Sequence, residues 1–356
     1  MEVSTIFTGN ITSVIAPMDG NPVPILLKER PFVQIVVEIC VLCLLWAAAL
    51  LGNGLVCVVI YRSRRLQSTT NYFVVSLACA DIVLVTACAP FLIGQLVRRA
   101  WIFGSVVCKA MRFAQFAGPA STMTILVSIC VDRFYSILYP LCFKVTRGRA
   151  KKMIIFSWFL TIVVSCPTLY FFKVVPVTAT AAGDEARYIC VTYIAPDLAG
   201  MFYTVIIVLV EYVLPIVILL FGYTRVFNYI WSMGVGGRTV QRTTNSIPRA
   251  KVKMIKMILI MNIAIVTLLG PFYMLQLWHT FAPTRRRTSV DPTVYVAVWW
   301  MVLSGGVAKP LVYVLYNSNF RRGCREVFWK GQRNDIRSLS TIFGIEDDNV
   351  WVFRVR

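Results

Sequence analysis

The stretch VLSGGVAKPLVYVLYN, residues 302–317, is apolar enough to lie inside a bilayer, yet it places Lys309 directly before Pro310. An ionisable residue at such depth is costly and calls for a partner or a function. Similar apolar runs cover roughly 34–61, 71–96, 105–139, 150–172, 200–231 and 250–281, and the quoted stretch ends a further run over 292–317. Each provides about 20 or more mostly uncharged residues, the length that crosses a hydrocarbon core. Of the 356 residues, 58% are hydrophobic and 15% charged, a balance that soluble domains do not reach. Backbone amides in hydrocarbon need partners within their own segment, and no alternating pattern of a lipid-facing barrel is present. The expected fold is therefore an all-α membrane protein, a seven-transmembrane-helix bundle.

The net charge of +20 matters less than where it lies. Arg62, Arg64 and Arg65 follow the first span, and Lys144, Arg147, Arg149, Lys151 and Lys152 follow the third. Arg238, Arg242, Arg249, Lys251, Lys253 and Lys256 follow the fifth, and Arg321, Arg322 and Arg325 the seventh. By the positive-inside rule these loops are cytoplasmic and the N-terminus is outside. The charge thus reports topology, and no nucleic-acid partner is expected. No short apolar segment with a small-residue cleavage site precedes the first span, so the first helix is expected to direct insertion.

The predicted organisation is an extracellular tail over 1–33, a seven-helix domain over 34–317, an amphipathic helix at the inner membrane surface over 318–330, and a cytoplasmic tail over 331–356. Phe320, Val327 and Phe328 set against Arg321, Arg322 and Arg325 give the amphipathic pattern. Asn10-Ile11-Thr12 is a glycosylation acceptor in the outer tail. In the last tail, Ser338, Ser340 and Thr341 are either phosphorylation sites or simple solvated polarity.

Most of the 11 cysteines lie within spans, as small apolar residues. Cys108 opens the third span on the outer side and Cys190 lies in the long outer loop, so a bridge between them is the economical pairing. Cys324, on the basic segment after the seventh span, is either palmitoylated or an unmodified thiol. Enzymatic apparatus is not expected, because His279 is the sole histidine, no Cys/His metal spacing occurs, and no Gly-rich phosphate loop precedes a helix. No cofactor is expected either.

Asn53 in GNGLV, Asp81 in SLACAD, Trp101 in WIFG and then Cys108 come in order along the first three spans. Arg133 in DRF lies 25 residues after Cys108, followed by Pro140, Trp158, Pro167, Pro215, Tyr223, Pro271, Pro310, Tyr313 and Phe320. In this order the chain resembles the rhodopsin-like G-protein-coupled receptors from about 34 to 328. RSRRLQSTTNYFVVSLACAD, KVTRGRAKKMI and KPLVYVLYNSNFRRG are similar to an orphan branch that groups with peptide receptors.

That resemblance implies a plasma-membrane receptor with an outer pocket for an extracellular agonist, a peptide, and an inner crevice for a heterotrimeric G protein. Arrestin and receptor kinases are further implied partners. Arg133 would pair with Asp132 in the inactive state and swing to the G protein, with Tyr223 and Tyr313 supporting the active packing; a snorkelling arginine is the plainer alternative. Pro271 and Pro310 are the prolines of the sixth and seventh helices. Lys251 stands where many members place a glutamate that clamps the arginine, and a lysine cannot accept that hydrogen bond.

For the ligand pocket, Gln115 takes the place of the aspartate of amine receptors, which argues against amine recognition. Glu211 is either a partner for a cationic ligand group or an internally bonded carboxyl. Gln276, Trp278, Trp299 and Trp300 would line the upper pocket, although such tryptophans also serve as interfacial anchors. Arg285, Arg286 and Arg287, in the last outer loop, would steer an acidic segment or simply be solvated.

The seventh-helix lysine raises the rival of an opsin-like photoreceptor. The retinal-binding lysine of opsins precedes the helix proline by seven residues, a place held here by Leu303. Lys309 lies about 9 Å further inward at roughly 1.5 Å rise per residue. In the family its position is normally asparagine, within a sodium-binding cluster around the second-helix aspartate. Asn53, Asp81 and Thr122 remain, Gly305 and Gly306 replace polar side chains, and Leu269 replaces the usual tryptophan. Lys309 is expected to pair with Asp81 as a covalently attached cation, or else to point to the inner water cavity without a partner. Loss of the sodium clamp would raise ligand-free signalling, unless Lys309 itself locks the inactive packing. A seven-helix transporter or channel is the other rival, but no helix is broken in matching halves.

Overall fold

The computed structural model describes residues 11–18, 21–28, 31–63, 66, 68–139, 146–177, 187–191, 194, 197–235, 249–282 and 292–328. Among them are 7 helices long and apolar enough to cross a membrane. They are α1 (Phe32–Arg62), α2 (Thr69–Arg98), α3 (Gly104–Leu138), α4 (Arg147–Ser165, with a further turn Thr168–Phe171), α5 (Leu198–Ile207, a π-helical turn Val208–Val213, then Leu214–Val235), α6 (Arg249–Phe281) and α7 (Pro292–Tyr316). A further helix, α8, runs over 318–328.

Order in the bundle follows from which faces are apolar against protein and which against lipid. Helix α3 is the most buried span and packs against α2, α4 and α5, whereas α1 is the least buried and lies against α2 and α7. Val33, Leu44, Leu51 and Val58 on α1, with Phe156, Phe159 and Val163 on α4, are exposed large apolar residues. Such a continuous apolar belt is incompatible with water and matches a bilayer surface. Inside, Phe73, Phe116, Met123, Ile125, Leu126 and Tyr273 are fully buried and hold the core.

Local chemistry fixes the element ends. Thr146 caps α4 by accepting from the Arg149 amide at 3.3 Å, and Asp197 caps α5 by accepting from the Gly200 amide at 2.8 Å. Expected over 150–172, the fourth span instead starts at Arg147 and breaks before Thr168 at Cys166 and Pro167. The π-helical turn of α5 ends just before Leu214-Pro215. Proline has no amide hydrogen and its ring crowds the carbonyl four residues back, so a wider turn takes up the break.

Two small hairpins, which helical periodicity did not announce, lie at the N-terminal end of the bundle, called the outer side here. Strand β1 (Ile11–Met18) pairs antiparallel with β2 (Asn21–Lys28), from Ile11 opposite Lys28 to Met18 opposite Asn21. Strand β3 (Val174–Val177) pairs antiparallel with β4 (Arg187–Cys190). The disulfide Cys108–Cys190 ties this second hairpin to the outer end of α3, and the Trp101 amide donates to the Tyr188 carbonyl at 2.7 Å.

On the inner side, Asn317 Oδ1 accepts from the Phe320 amide at 3.1 Å and so starts α8. Arg321 Nη1 donates to the carbonyls of Val314 and Leu315 at 2.9 and 2.7 Å, closing the end of α7. Phe320 is fully buried against Tyr313. Cys324 is a half-buried free thiol whose acidity burial lowers, which leaves less of the reactive thiolate. Asn10, Arg285, Arg286, Arg287, Ser338, Ser340, Thr341 and the tail from 331 lie outside the described residues, as does the side chain of Lys251.

Candidate functional site

Polar side chains buried in an apolar bundle are costly unless bonded, so their clusters mark the candidate sites. They fall at three depths.

At the inner end of α3, Arg133 Nε donates to Asp132 Oδ2 at 2.9 Å, and its Nη2 contacts the same oxygen. Nη2 also donates to Thr70 Oγ1 of α2 at 2.6 Å, while Nη1 approaches Met254 Sδ of α6 at 3.6 Å. Among the described residues, the contact from α6 to Arg133 is therefore a thioether, a weak acceptor. Tyr313 OH donates to Asn71 Oδ1 at 2.8 Å, and Asn71 Nδ2 reaches the Leu66 carbonyl, linking α7 to the first inner turn. Tyr223 and Asn262 are buried nearby, and the Tyr223 hydroxyl makes no hydrogen bond of ordinary geometry. Thr70, Asn71 and Met254 were not anticipated, because uncharged residues near a helix end carry no distinctive pattern.

At mid-membrane, Lys309 Nζ lies 2.6 Å from Asp81 Oδ1 and 2.9 Å from Thr122 Oγ1. Lys309, Asp81 and Thr122 are all buried. Asn53 Nδ2 donates to the carbonyls of Ala49 and Gly306 at 2.8 and 3.0 Å, holding α1 against α7 beside this pair. Gly305 and Gly306 contribute no side-chain oxygen, and the ammonium lies on the one carboxylate of the cluster. That donor set does not fit a sodium ion: Lys309 holds Asp81 Oδ1, the buried Asp81 Oδ2 is the one carboxylate oxygen left without a partner, and the adjacent ammonium would repel the ion.

Toward the outside, a narrow cleft with a cavity volume of only about 10 Å³ is lined by Arg112, Gln115, Phe116, Phe272, Leu275, Gln276, Tyr295, Val298 and Trp299. Of the residues expected in the pocket, Gln115, Gln276 and Trp299 line this cleft, and Glu211, Trp278 and Trp300 do not. The π-helical turn aims Glu211 between helices instead, where it accepts from Ser165 Oγ at 3.2 Å and Tyr273 OH at 3.4 Å. Trp278 is 46% exposed on the outside of α6, and Trp300 packs with Leu303 and Val85 against α1 and α2. These are corrections of register: helix rotation decides which of two neighbouring aromatic residues faces inward, and Trp299 does.

Arg112 is not among the residues expected in the pocket, although a charge within the apolar third span is a legible signal. It is 3% exposed, with Nη1 donating to Gln115 Oε1 at 2.7 Å and Nη2 to the Cys190 carbonyl at 3.0 Å. The disulfide-held hairpin thus rests on a guanidinium that also faces the cleft.

Residues 52–313 match the family described as "7 transmembrane receptor (rhodopsin family)". "Probable G-protein coupled receptor 19" of Homo sapiens is 43% identical over 295 residues, which is 83% of this chain and 68% of that protein. The chain is also similar to the "RYamide receptor" of Drosophila melanogaster, 29% identical over 279 residues, 77% of this chain and 59% of that protein. The "QRFP-like peptide receptor" of Branchiostoma floridae is 25% identical over 285 residues, 78% of this chain and 74% of that protein.

Proposed function

The chain belongs to the rhodopsin family of seven-transmembrane receptors, a signalling family rather than an enzyme family, and from that premise we propose that it carries an extracellular peptide signal across the plasma membrane to a heterotrimeric G protein. The observation that carries this reading is the arrangement around Arg133, a buried guanidinium held by Asp132 and Thr70 at the inner end of α3. Its hold on α6 is weak, so an outward movement of α6 breaks little and uncovers a cationic donor for an entering partner. Peptide recognition is supported by the names of the RYamide and QRFP-like relatives and by the aromatic lining of the cleft, with Phe116, Phe272 and Trp299. The N-terminus lies outside in this reading, where Asn10 is open to glycosylation, and arrestin and receptor kinases act on the inner face.

Lys309 gives this receptor its own character. Its ammonium serves as a permanent cation for Asp81, doing from within the chain what a diffusible sodium ion does in the family. Agonist binding then shifts the packing of α6 and α7 without an ion having to leave.

Recruitment assays over a panel of G proteins, with receptor alone and then with peptide libraries, test the reading. Recruitment by the native chain that is lost in Arg133→Gln is the expected result. Ion or solute flux without recruitment, or an absorbance band after adding retinal, would overturn it.

A further inference from the structure

Among the described residues three buried cations stand out in the bundle: Arg112, Arg133 and Lys309. Two of them hold a carboxylate, Arg133 through Asp132 and Lys309 through Asp81. Arg112 does not: among the described residues no carboxylate lies within salt-bridge distance of it. Its partners are the Gln115 amide oxygen, the Cys190 carbonyl and the Phe172 ring, 5.6 Å below the guanidinium, and all are neutral. The other buried carboxylates are engaged elsewhere, Glu38 with Gln34 at 3.0 Å and Glu211 with Ser165 and Tyr273. A guanidinium stays charged under all ordinary conditions, and a buried charge without a counter-charge is strongly unfavourable.

The cleft concentrates unmet polar demand at this same point. Among the described residues, buried Arg112 Nε, Gln115 Nε2 and Gln276 Oε1 find no hydrogen-bond partner, and all three residues line the cleft. The Gln276 amide can turn to present its nitrogen. Around them stand Phe116, Phe272 and Trp299. A neutral acceptor would fill the hydrogen bonds but leave the charge; an anion answers both.

We infer that the ligand of this cleft widens it and presents a carboxylate to Arg112, flanked by an aromatic or branched apolar side chain that comes to lie against Phe116, Phe272 and Trp299. This rests on the receptor reading above and specifies its ligand. The carboxylate is either the free C-terminus of a peptide or an aspartate or glutamate side chain. Charge-assisted pairing of guanidinium with carboxylate is among the strongest polar contacts available in a dry site. Because Arg112 also braces Cys190, ligand engagement is felt at once by the hairpin above the cleft.

The test uses the full-length receptor purified in nanodiscs and three matched sets of short aromatic peptides. One set ends in a free carboxylate, one in a carboxamide, and one in a carboxamide with an aspartate beside the aromatic residue. Thermal stabilisation is read for the native chain, Arg112→Gln and Arg112→Lys. At least one carboxylate set should stabilise the native receptor at concentrations about tenfold or more below the matched neutral set, and the set that does so identifies the source. Arg112→Gln should abolish that preference while Arg112→Lys retains part of it. A merely structural arginine would lower the melting temperature for every set alike and leave the preference intact, which would overturn the inference. So would neutral peptides equalling the carboxylates, or no carboxylate peptide stabilising the receptor at millimolar concentration. Thermal stabilisation needs no G protein, so a receptor that prefers carboxylates but recruits no G protein refutes the signalling reading alone.

Discussion

Lys309 of α7 and Asp81 of α2 form a buried ion pair, with Nζ 2.6 Å from Oδ1, and Thr122 of α3 completes it at 2.9 Å. One point thereby fastens three helices. Removing one partner strands a charge in the membrane interior, at a cost of about 3–5 kcal/mol, while replacing both is far less harmful. Lys309→Met should therefore lower the melting temperature and surface expression of the receptor, and Asp81→Asn with Lys309→Met should recover most of the loss. A double variant no more stable than the single would show that the two residues are not energetically coupled.

The contact between Arg133 and Met254 is the weak seam of the inner face, at 3.6 Å to a thioether sulfur. Met254→Glu places a charged acceptor there, and a hydrogen bond between charged groups contributes about 1.5–3 kcal/mol. Ligand-free G-protein recruitment should fall about tenfold, with surface density matched between variants. Unchanged or increased recruitment would mean that α6 does not swing from Arg133.

The bridge between Cys108 and Cys190 closes a loop with a sequence separation of 82, and the Cys190 carbonyl is also an acceptor for Arg112. Cys190→Ser should destabilise the outer half of the bundle by about 2–5 kcal/mol. Surface staining and thermal melting read this directly, and a native melting profile would contradict it.

Gly52 on α1 lies so close to α7 that an added Cβ would stand 2.9 Å from Pro310 Cγ. A proline ring cannot turn aside, so Gly52→Ala should force α1 and α7 apart and cost about 1–3 kcal/mol. Gly54→Ala is the control, because a Cβ there meets nothing within 4 Å. Equal melting of the two variants would refute the close approach.

Much of this architecture was legible in the sequence, since seven long apolar segments and the alternation of basic loops follow from the cost of peptide groups and charges in hydrocarbon. That Lys309 needs a partner was legible for the same reason, and the resemblance to the family's sodium cluster pointed to Asp81. Arg112 obeys that rule too, as a charge within the apolar third span one turn before Gln115. What the sequence left open depends on helix rotation, as with Trp299 facing the cleft while Trp300 turns to α1 and α2, or Glu211 turning to Ser165 through the π-helical turn. Apolar runs long enough to span do not register a single wider turn. The hairpins of the outer side escaped because short strands outside the membrane lack a period strong enough to stand against loops.

The central claim is that Lys309 supplies the cation of this bundle. Melting of the purified full-length receptor in sodium chloride and in choline chloride, each at about 0.15 M to hold screening constant, tests it most directly. The account predicts equal melting temperatures in the two salts for the native chain. Stabilisation by sodium that disappears in Asp81→Asn would contradict it.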